Sequence, residues 1–393
     1  MRRGTTLGAL AAGLALVAAA PATAGHKPPR VDVDVIASGL DNPRHVAVGK
    51  DGDVYVAESG RGGDHATSKS CFDSAEGFAC TGATGAITEI GRRGQRRIVT
   101  GLASFAPLTG DTAIGPHGIF ADGKDIYFTN GGPTEPQRNG ETVLRDPTLV
   151  REERVSRFYG TLRKVERHGD HRKIADLWRF EYEHNPDAEA ANPAIDSNAV
   201  DVYADHGRFF VADAGNNSVL HVGRWGGISP VAIFPNRDVD DPFNPDPAGD
   251  PIPMQAVPTG VVKGPDGALY VSQLTGFPFP VGGANVYRID SRGGPPKVYA
   301  KGFTTIIDLD FGRDGTLYVL QIDNDGLVPP LGPLTEGALF AVPRHGKGTP
   351  KRVDPPGRLT HPGGVAVGRK GVVYVTNRST QAGAGEVLKI DLD

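Results

Sequence analysis

Cysteine, methionine and tryptophan are nearly missing from this 393-residue chain, at two residues each. Two thiols alone make a poor metal site, so a cysteine-rich zinc module is excluded. Positive charge is not in excess either. Lys and Arg number 42 against 46 Asp and Glu, a formal net charge of −4. That balance argues against an electrostatic nucleic-acid binder, which needs a basic face. Past the first 24 residues no apolar run is long enough to cross a bilayer, and hydrophobic residues make up 38% of the chain. A Gly-rich phosphate loop, a nucleophile elbow and an H-E-x-x-H zinc motif are also missing.

Residues 1–24 read as an export signal. Arg2 and Arg3 form a charged start, residues 7–20 an apolar run, and Ala22-Thr23-Ala24 a small-residue cleavage site. Gly-Thr-Thr after the two arginines does not complete a twin-arginine motif, so a Sec-type route is expected. Removal leaves 40 basic against 46 acidic residues. The mature protein, residues 25–393, is then expected outside the cytoplasm, as a single monomeric domain with no membrane span. In that oxidising setting Cys71 and Cys80 are expected to form a disulfide that pins a Gly-rich loop.

Glycine and proline are abundant, at 54 and 32 residues, and they punctuate short apolar runs. That combination points to an all-β domain. The runs are organised as a repeat. His45-Val46-Ala47-Val48-Gly49-Lys50-Asp51-Gly52-Asp53-Val54-Tyr55-Val56-Ala57-Glu58 reads as strand, Asp-Gly turn, strand. The unit returns five times, its second strand ending at Asn130, Asp213, Gln273, Gln321 and Asn377. A third strand follows each hairpin, over 85–90, 160–165, 218–222, 284–289, 337–342 and 385–390. A fourth follows over 96–101, 172–177, 229–234, 296–302 and 351–353. Four strands per unit make a propeller blade. The sixth unit lacks a fourth strand, while residues 31–40 form an orphan strand before the first. The chain therefore reads as one six-bladed β-propeller, closed by its N-terminal strand, which removes the open edges.

The long connections all fall on one face, such as 59–84 and 131–159 between second and third strands, and 178–197 and 235–257 between blades. Function tends to live on such loops. The last residue of every second strand is acidic or amide: Glu58, Asn130, Asp213, Gln273, Gln321 and Asn377. By symmetry these are expected around the channel mouth, joined by Arg44, His45, His117, Asp201, Thr259 and Asp308 from the first strands. Glu58, Asn130 and Asp213 are candidate ligands for a divalent cation such as Ca²⁺, which takes six to eight oxygens. Glu58 with His117 is a candidate catalytic acid–base pair. The competing reading is that these groups cap strand ends and bond loop backbone. Asp323-Asn324-Asp325-Gly326 opens like a calcium loop but lacks the distal Glu, so an Asx-rich turn is expected. The charged stretch 145–157 is expected as a short capping helix.

Several segments together resemble the ScyD/ScyE family of secreted NHL-like propeller proteins. They are Gly39-Leu40-Asp41-Asn42-Pro43-Arg44, Gly60-Arg61-Gly62-Gly63, Asn185-Pro186-Asp187, Asp196-Ser197-Asn198 and Val211-Ala212-Asp213-Ala214-Gly215-Asn216. The most specific are Leu274-Thr275-Gly276-Phe277-Pro278-Phe279-Pro280-Val281-Gly282 and Gly302-Phe303-Thr304-Thr305-Ile306-Ile307-Asp308-Leu309. The resemblance covers nearly all of 31–393 and departs from the family in the Arg-rich insert 138–157. It implies export and a propeller, and no settled activity. Three functions compete. One is binding of a small molecule or an extracellular protein on the loop face. Another is a metal-dependent lactonase or hydrolase of the gluconolactonase type. The third is a quinone-dependent sugar dehydrogenase, for which Asn42-Pro43 and Ala57-Glu58 are similar to the first blade. That class also needs an Arg-Asp-x-His-Asn segment, which this chain lacks.

Overall fold

The computed structural model describes residues 31–392, apart from 67, 69–70, 75–76, 133–136, 139–140, 143–157, 192, 245–248, 329–335 and 347. The export signal and the helix expected over 145–157 lie outside the described residues.

The alternating apolar runs pair as antiparallel strands, and each repeat becomes one sheet. The described residues open with β1 (Asp32–Leu40). The first blade holds β2 (Pro43–Val48), β3 (Val54–Glu58), β5 (Gly77–Gly91) and β6 (Gly94–Pro107), with β4 (Cys71–Ser74) laid along β5. The second holds β7 (Pro116–Asp122), β8 (Asp125–Asn130), β11 (Thr161–Val165) and β12 (His171–Asp176). Between β8 and β11 lie β9 (Gln137–Arg138) and β10 (Glu141–Thr142), which join the first sheet beside β4. A helix, α1 (Leu177–His184), leads to the third blade: β13 (Ala199–Asp205), β14 (Arg208–Asp213), β15 (Ser218–Val222) and β16 (Ile228–Ile233). The ribbon β17 (Arg237–Val239) and β18 (Ile252–Met254) precedes the fourth: β19 (Pro258–Lys263), β20 (Leu269–Gln273), β21 (Ala284–Ile289) and β22 (Lys297–Phe303). The fifth is β23 (Ile306–Phe311), β24 (Leu317–Gln321), β25 (Ala338–Val342) and β26 (Lys351–Arg352). The last has β27 (Gly364–Val367), β28 (Val373–Asn377) and β29 (Gly385–Asp391).

The ring closes as expected. β1 runs antiparallel to β29, with Asp32 opposite Asp391 and Leu40 opposite Gly385, so the N-terminal strand is the fourth strand of the last blade. The innermost strands follow one another around the axis in the order β2, β7, β13, β19, β23, β27. Six apolar clusters fill the six gaps between neighbouring blades. The cluster at the closing gap joins Ala37 and Leu40 of β1 and Val387 of β29 to Val46, Val54 and Val56 of the first blade. Closure thus places apolar surface from both chain ends in one interior, where burial stabilises it.

Two loop-face segments fold beyond what the sequence pattern led us to expect. Part of 59–84, expected as a loop, continues the outer hairpin of the first blade: β5 and β6 pair up to Ala79 opposite Pro107. Its glycines mark close backbone approach rather than turns. A Cβ on Gly63 would lie 2.0 Å from the Thr81 carbonyl oxygen, and one on Gly82 2.3 Å from that of Gly62. Cys71 and Cys80 face each other across β4 and β5 and are disulfide-bonded, so the bridge staples this raised flap. Within 178–197 the helix α1 forms because Asp176 caps it, accepting from the Arg179 N–H, while Leu177 and Trp178 are buried. It stops where Asn185 turns left-handed.

Adjacent innermost strands approach so closely that alternate blades carry glycine. A Cβ on Gly364 would sit 2.6 Å from His45 Cα, a backbone atom that cannot swing aside. Gly364→Ala is therefore expected to destabilise the protein by about 2 kcal/mol or more. Equilibrium denaturant unfolding of the two proteins measures this directly.

Candidate functional site

The six strand-end residues are buried, and each is hydrogen-bonded to nearby protein groups. Glu58 is held by Arg97 through two bonds of 3.0 and 2.6 Å, by Thr88 Oγ1 at 2.5 Å, and by the Asp41 N–H at 2.7 Å. Arg97 also reaches Asp41 at 2.8 Å, and Arg61 pairs with the same carboxylate at 2.6 Å. The hydrogen bonds it donates to Glu58 raise the Arg97 guanidinium well above its ordinary range, offsetting partial burial. Asp213 accepts from Ser197 Oγ and the Asn198 N–H, each at 2.7 Å. Gln321 accepts from the Thr304 N–H at 2.8 Å, and Asn377 from that of Thr360 at 2.7 Å. Gln273 turns outward to Asn285 and Tyr287. Asn130 donates to the Ala103 and Gly131 carbonyls. Glu58, Asn130 and Asp213, the candidate ion ligands, have no bond to one another among the described residues. Asp325 N–H bonds to Asp323 Oδ1 at 2.8 Å, an Asx turn.

The first strands place different chemistry on the axis. His45, Asp201 and Asp308 occupy one register, each a residue before the strand's paired apolar position Val46, Val202 or Leu309. In the other three blades that register holds Gly118, Gly260 and Gly364. One ligand atom from each of His45, Asp201 and Asp308 lies within 4.8 Å of the other two, and all three residues are buried. Asp201 accepts from the Val261 N–H at 2.8 Å, and Asp308 from those of Leu309 and Val365, each at 2.7 Å. Asp310 likewise accepts from Phe311 and Val367 at 2.7 Å. Around them the channel encloses about 140 Å³.

Burial dominates the electrostatics here. It raises Asp201, raises Asp308 further because Asp201 stands beside it, and lifts Asp310 to about 6. Burial, aided by the Arg44 charge, lowers His45 to about 3 and His117 well below its usual range. His117 Nδ1 lies 2.9 Å from the Val200 carbonyl and 3.3 Å from His45 Nδ1. Its partners are thus in the channel, while those of Glu58 are in the first blade, and no bond joins the two. Arg44 donates to Ser59 Oγ at 3.3 Å and to the Ala113 carbonyl at 2.5 Å. The His45–Asp201–Asp308 group was missed as a unit because Arg44 and His117 belong to the neighbouring register. Aligning the first strands by their paired apolar residue would have separated the two sets.

The loop face is apolar in places. Leu108, Val281, Phe78, Phe243, Tyr182 and Phe277 are all exposed, from 77% for Leu108 down to 46% for Phe277. Phe243 and Phe277 stack with centroids 5.7 Å apart. Of the exposed large apolar residues among those described, only Trp225 sits in a turn of the opposite face, with the Arg224 guanidinium over its ring. Beneath the loops Glu181 of α1 is buried, and burial with the nearby charges of Asp213 and Asp187 lifts its carboxyl to about 8.

No family model and no curated protein match the chain. Solved structures do, over almost its whole length. A gluconolactonase from Xanthomonas campestris is 10% identical, covering 94% of this chain and 96% of its own, at a TM-score of 0.52. A PQQ-bound aldose sugar dehydrogenase from Streptomyces coelicolor is 11% identical over 93% and 99%, at 0.48. Virginiamycin B lyase from Staphylococcus aureus is 13% identical over 93% and 100%, at 0.47. The likeness is one of fold. Activities diverge freely on a shared propeller, so the similarity assigns none.

Two measurements probe this picture. Arg97→Ala leaves buried Glu58 without its cation, while Asp41 keeps Arg61, and is expected to cost about 3 kcal/mol in denaturant unfolding. Glu181 binds its proton more tightly folded than unfolded, since its folded value of about 8 exceeds the usual carboxyl value of about 4.3. Its contribution to stability is therefore lost as pH rises from about 5 to about 8. Glu181→Gln should gain melting temperature relative to the parent across that window, and an unchanged difference would contradict it.

Proposed function

We propose that this chain is an exported propeller of the ScyD/ScyE kind that binds an extracellular protein partner on its loop-bearing face. The observation that carries the reading is the exposed apolar set on that face. It spans the first to the fourth blade, so it lies on both sides of the channel mouth. Scattered single apolar residues are ordinary, but a stacked exposed aromatic pair is less so, and it supports a contact surface here. The axial channel of about 140 Å³ is small beside the roughly 300–1,000 Å³ of organic-ligand pockets, so the reading rests on the loop face and not on the channel. The disulfide fits an oxidising compartment. Metal-dependent hydrolysis is the second reading, favoured by the imidazole and two carboxylates gathered on the axis.

The test compares the mature protein with a Phe243→Ser/Phe277→Ser double variant. Partner binding from the extracellular fraction, read by interferometry, should weaken about tenfold or more with the melting temperature unchanged. Neither protein should turn over a lactone and ester panel. Chelator-sensitive turnover by both would replace the binding reading with the hydrolase.

A further inference from the structure

We infer that the propeller axis holds one divalent transition-metal cation of the zinc or manganese type, bound by His45 Nε2 and one carboxylate oxygen each from Asp201 and Asp308. This site is distinct from the Glu58, Asn130 and Asp213 set, and it does not depend on what the loop face binds.

The first support is an orphan. His45 is 2% exposed, and its Nε2 makes no well-aligned hydrogen bond, although backbone of Thr259 lies near the ring. A buried polar atom left unpaired is costly, so such an atom calls for a ligand. This one points to Asp308 Oδ1, 3.5 Å away, without making a well-aligned bond. Two ligands about 2.1 Å from a tetrahedral ion lie about 3.4 Å apart. The imidazole and the carboxylate thus already stand at the separation that shared coordination requires.

The second support is charge. Asp201 and Asp308 are buried and Asp310 is partly buried around one channel, and no lysine or arginine pairs with any of them among the described residues. Buried carboxylates without a counter-charge are strongly unfavourable. Backbone N–H groups hold Asp201 and Asp308 in place. They fix the orientation of the carboxylates, as second-layer bonds do around metal ligands, but they bring no net positive charge. A divalent cation supplies it.

The third support is clearance. Side chains come from the first, third and fifth blades, and glycine holds the same register in the second, fourth and sixth. A Cβ on Gly260 would lie 2.9 Å from Asp308 Oδ1, and one on Gly118 2.4 Å from Asp201 Cα. The glycines therefore let three donors converge on the axis, in an arrangement with approximate three-fold symmetry. The cavity of about 140 Å³ leaves room for an ion and a few waters to complete its shell.

The donor set selects the ion. One imidazole with two carboxylates suits zinc or manganese. Calcium takes six to eight oxygens and has little use for a ring nitrogen.

The experiment begins with elemental analysis of untagged mature protein, followed by chelator stripping. Zn²⁺, Mn²⁺, Ca²⁺ and Mg²⁺ are then added singly, with binding read by calorimetry and by melting temperature. We expect one zinc or manganese per chain, a higher melting temperature on reloading, and affinity about a hundredfold above that for Ca²⁺. Asp308→Asn and His45→Gln should each weaken binding about tenfold or more. Should either variant fail to fold, X-ray absorption at the metal edge of the parent protein still reads the ligands. One imidazole among oxygen donors supports the site. Absence of any stoichiometric ion with no melting shift on addition, preference for Ca²⁺, or a shell without imidazole would each overturn it.

Discussion

A closed propeller leaves each innermost strand with one edge that no further strand can pair, and the ring depends on how those edges are tied. In this protein a side chain crosses every blade boundary to a backbone group of the next blade. Ser59 Oγ donates to the Pro116 carbonyl, and His117 Nδ1 reaches that of Val200. Asp201 takes the Val261 N–H, and Thr259 Oγ1 donates to the Ile306 carbonyl. Asp308 takes the Val365 N–H, and Thr376 Oγ1 completes the circle on the Arg44 carbonyl. An unsatisfied buried backbone group costs about as much as a lost hydrogen bond, so each tie stabilises the interface it spans. The apolar clusters between blades are non-directional, while these bonds have direction and fix how each blade is set against the next.

The polar strand ends serve the other half of the same problem. Glu58, Asp213, Gln321 and Asn377 each accept the N–H of a residue lying just before the first strand of the blade, namely Asp41, Asn198, Thr304 and Thr360. The chain arrives there from the preceding blade, and the bond seats it beside the strand end it must join. The same geometric need recurs in these four repeats, and so does a residue type that meets it. A ring of like residues in a repeat protein therefore reports a shared structural task as readily as a shared ligand. The axis residues behave differently: they alternate between functional groups and glycine, a pattern that one task common to all blades would not produce.

Much of this was legible in the sequence because turn chemistry and alternation are local. The turn before Tyr55, Tyr270, Tyr318 and Tyr374 is headed by a glycine, since a Cβ on Gly49, Gly264, Gly312 or Gly368 would meet the following tyrosine ring. The closing strand was legible because its apolar pattern matches other fourth strands. The raised flap was not, because Gly63 and Gly82 read as loop when only tertiary packing shows what lies against them. The direction of the strand-end side chains was not legible either. A strand end can face the axis or its own loop, and alternation along the strand does not choose between them. The axis cluster depends on register between strands far apart in sequence, where an offset of one residue replaces His45 by Arg44.

These constraints divide the molecule by task. The polar residues of the interior are committed to closing the ring or to the axis, and the channel they leave is narrow. The face bearing the short turns carries Asp-Gly turns and paired charges such as Arg288 with Asp266, and its exposed apolar exception is Trp225. On the proposed binding reading, discrimination between partners would come from the flap stapled by Cys71–Cys80, from α1 and from the loops that carry Phe243 and Phe277. Those segments rest on the scaffold without forming it, so they can vary in shape and polarity while the blade-to-blade ties stay the same. A fold built this way can keep one interior while its loop face accommodates quite different partners, which is why similarity of fold alone assigns this protein no activity.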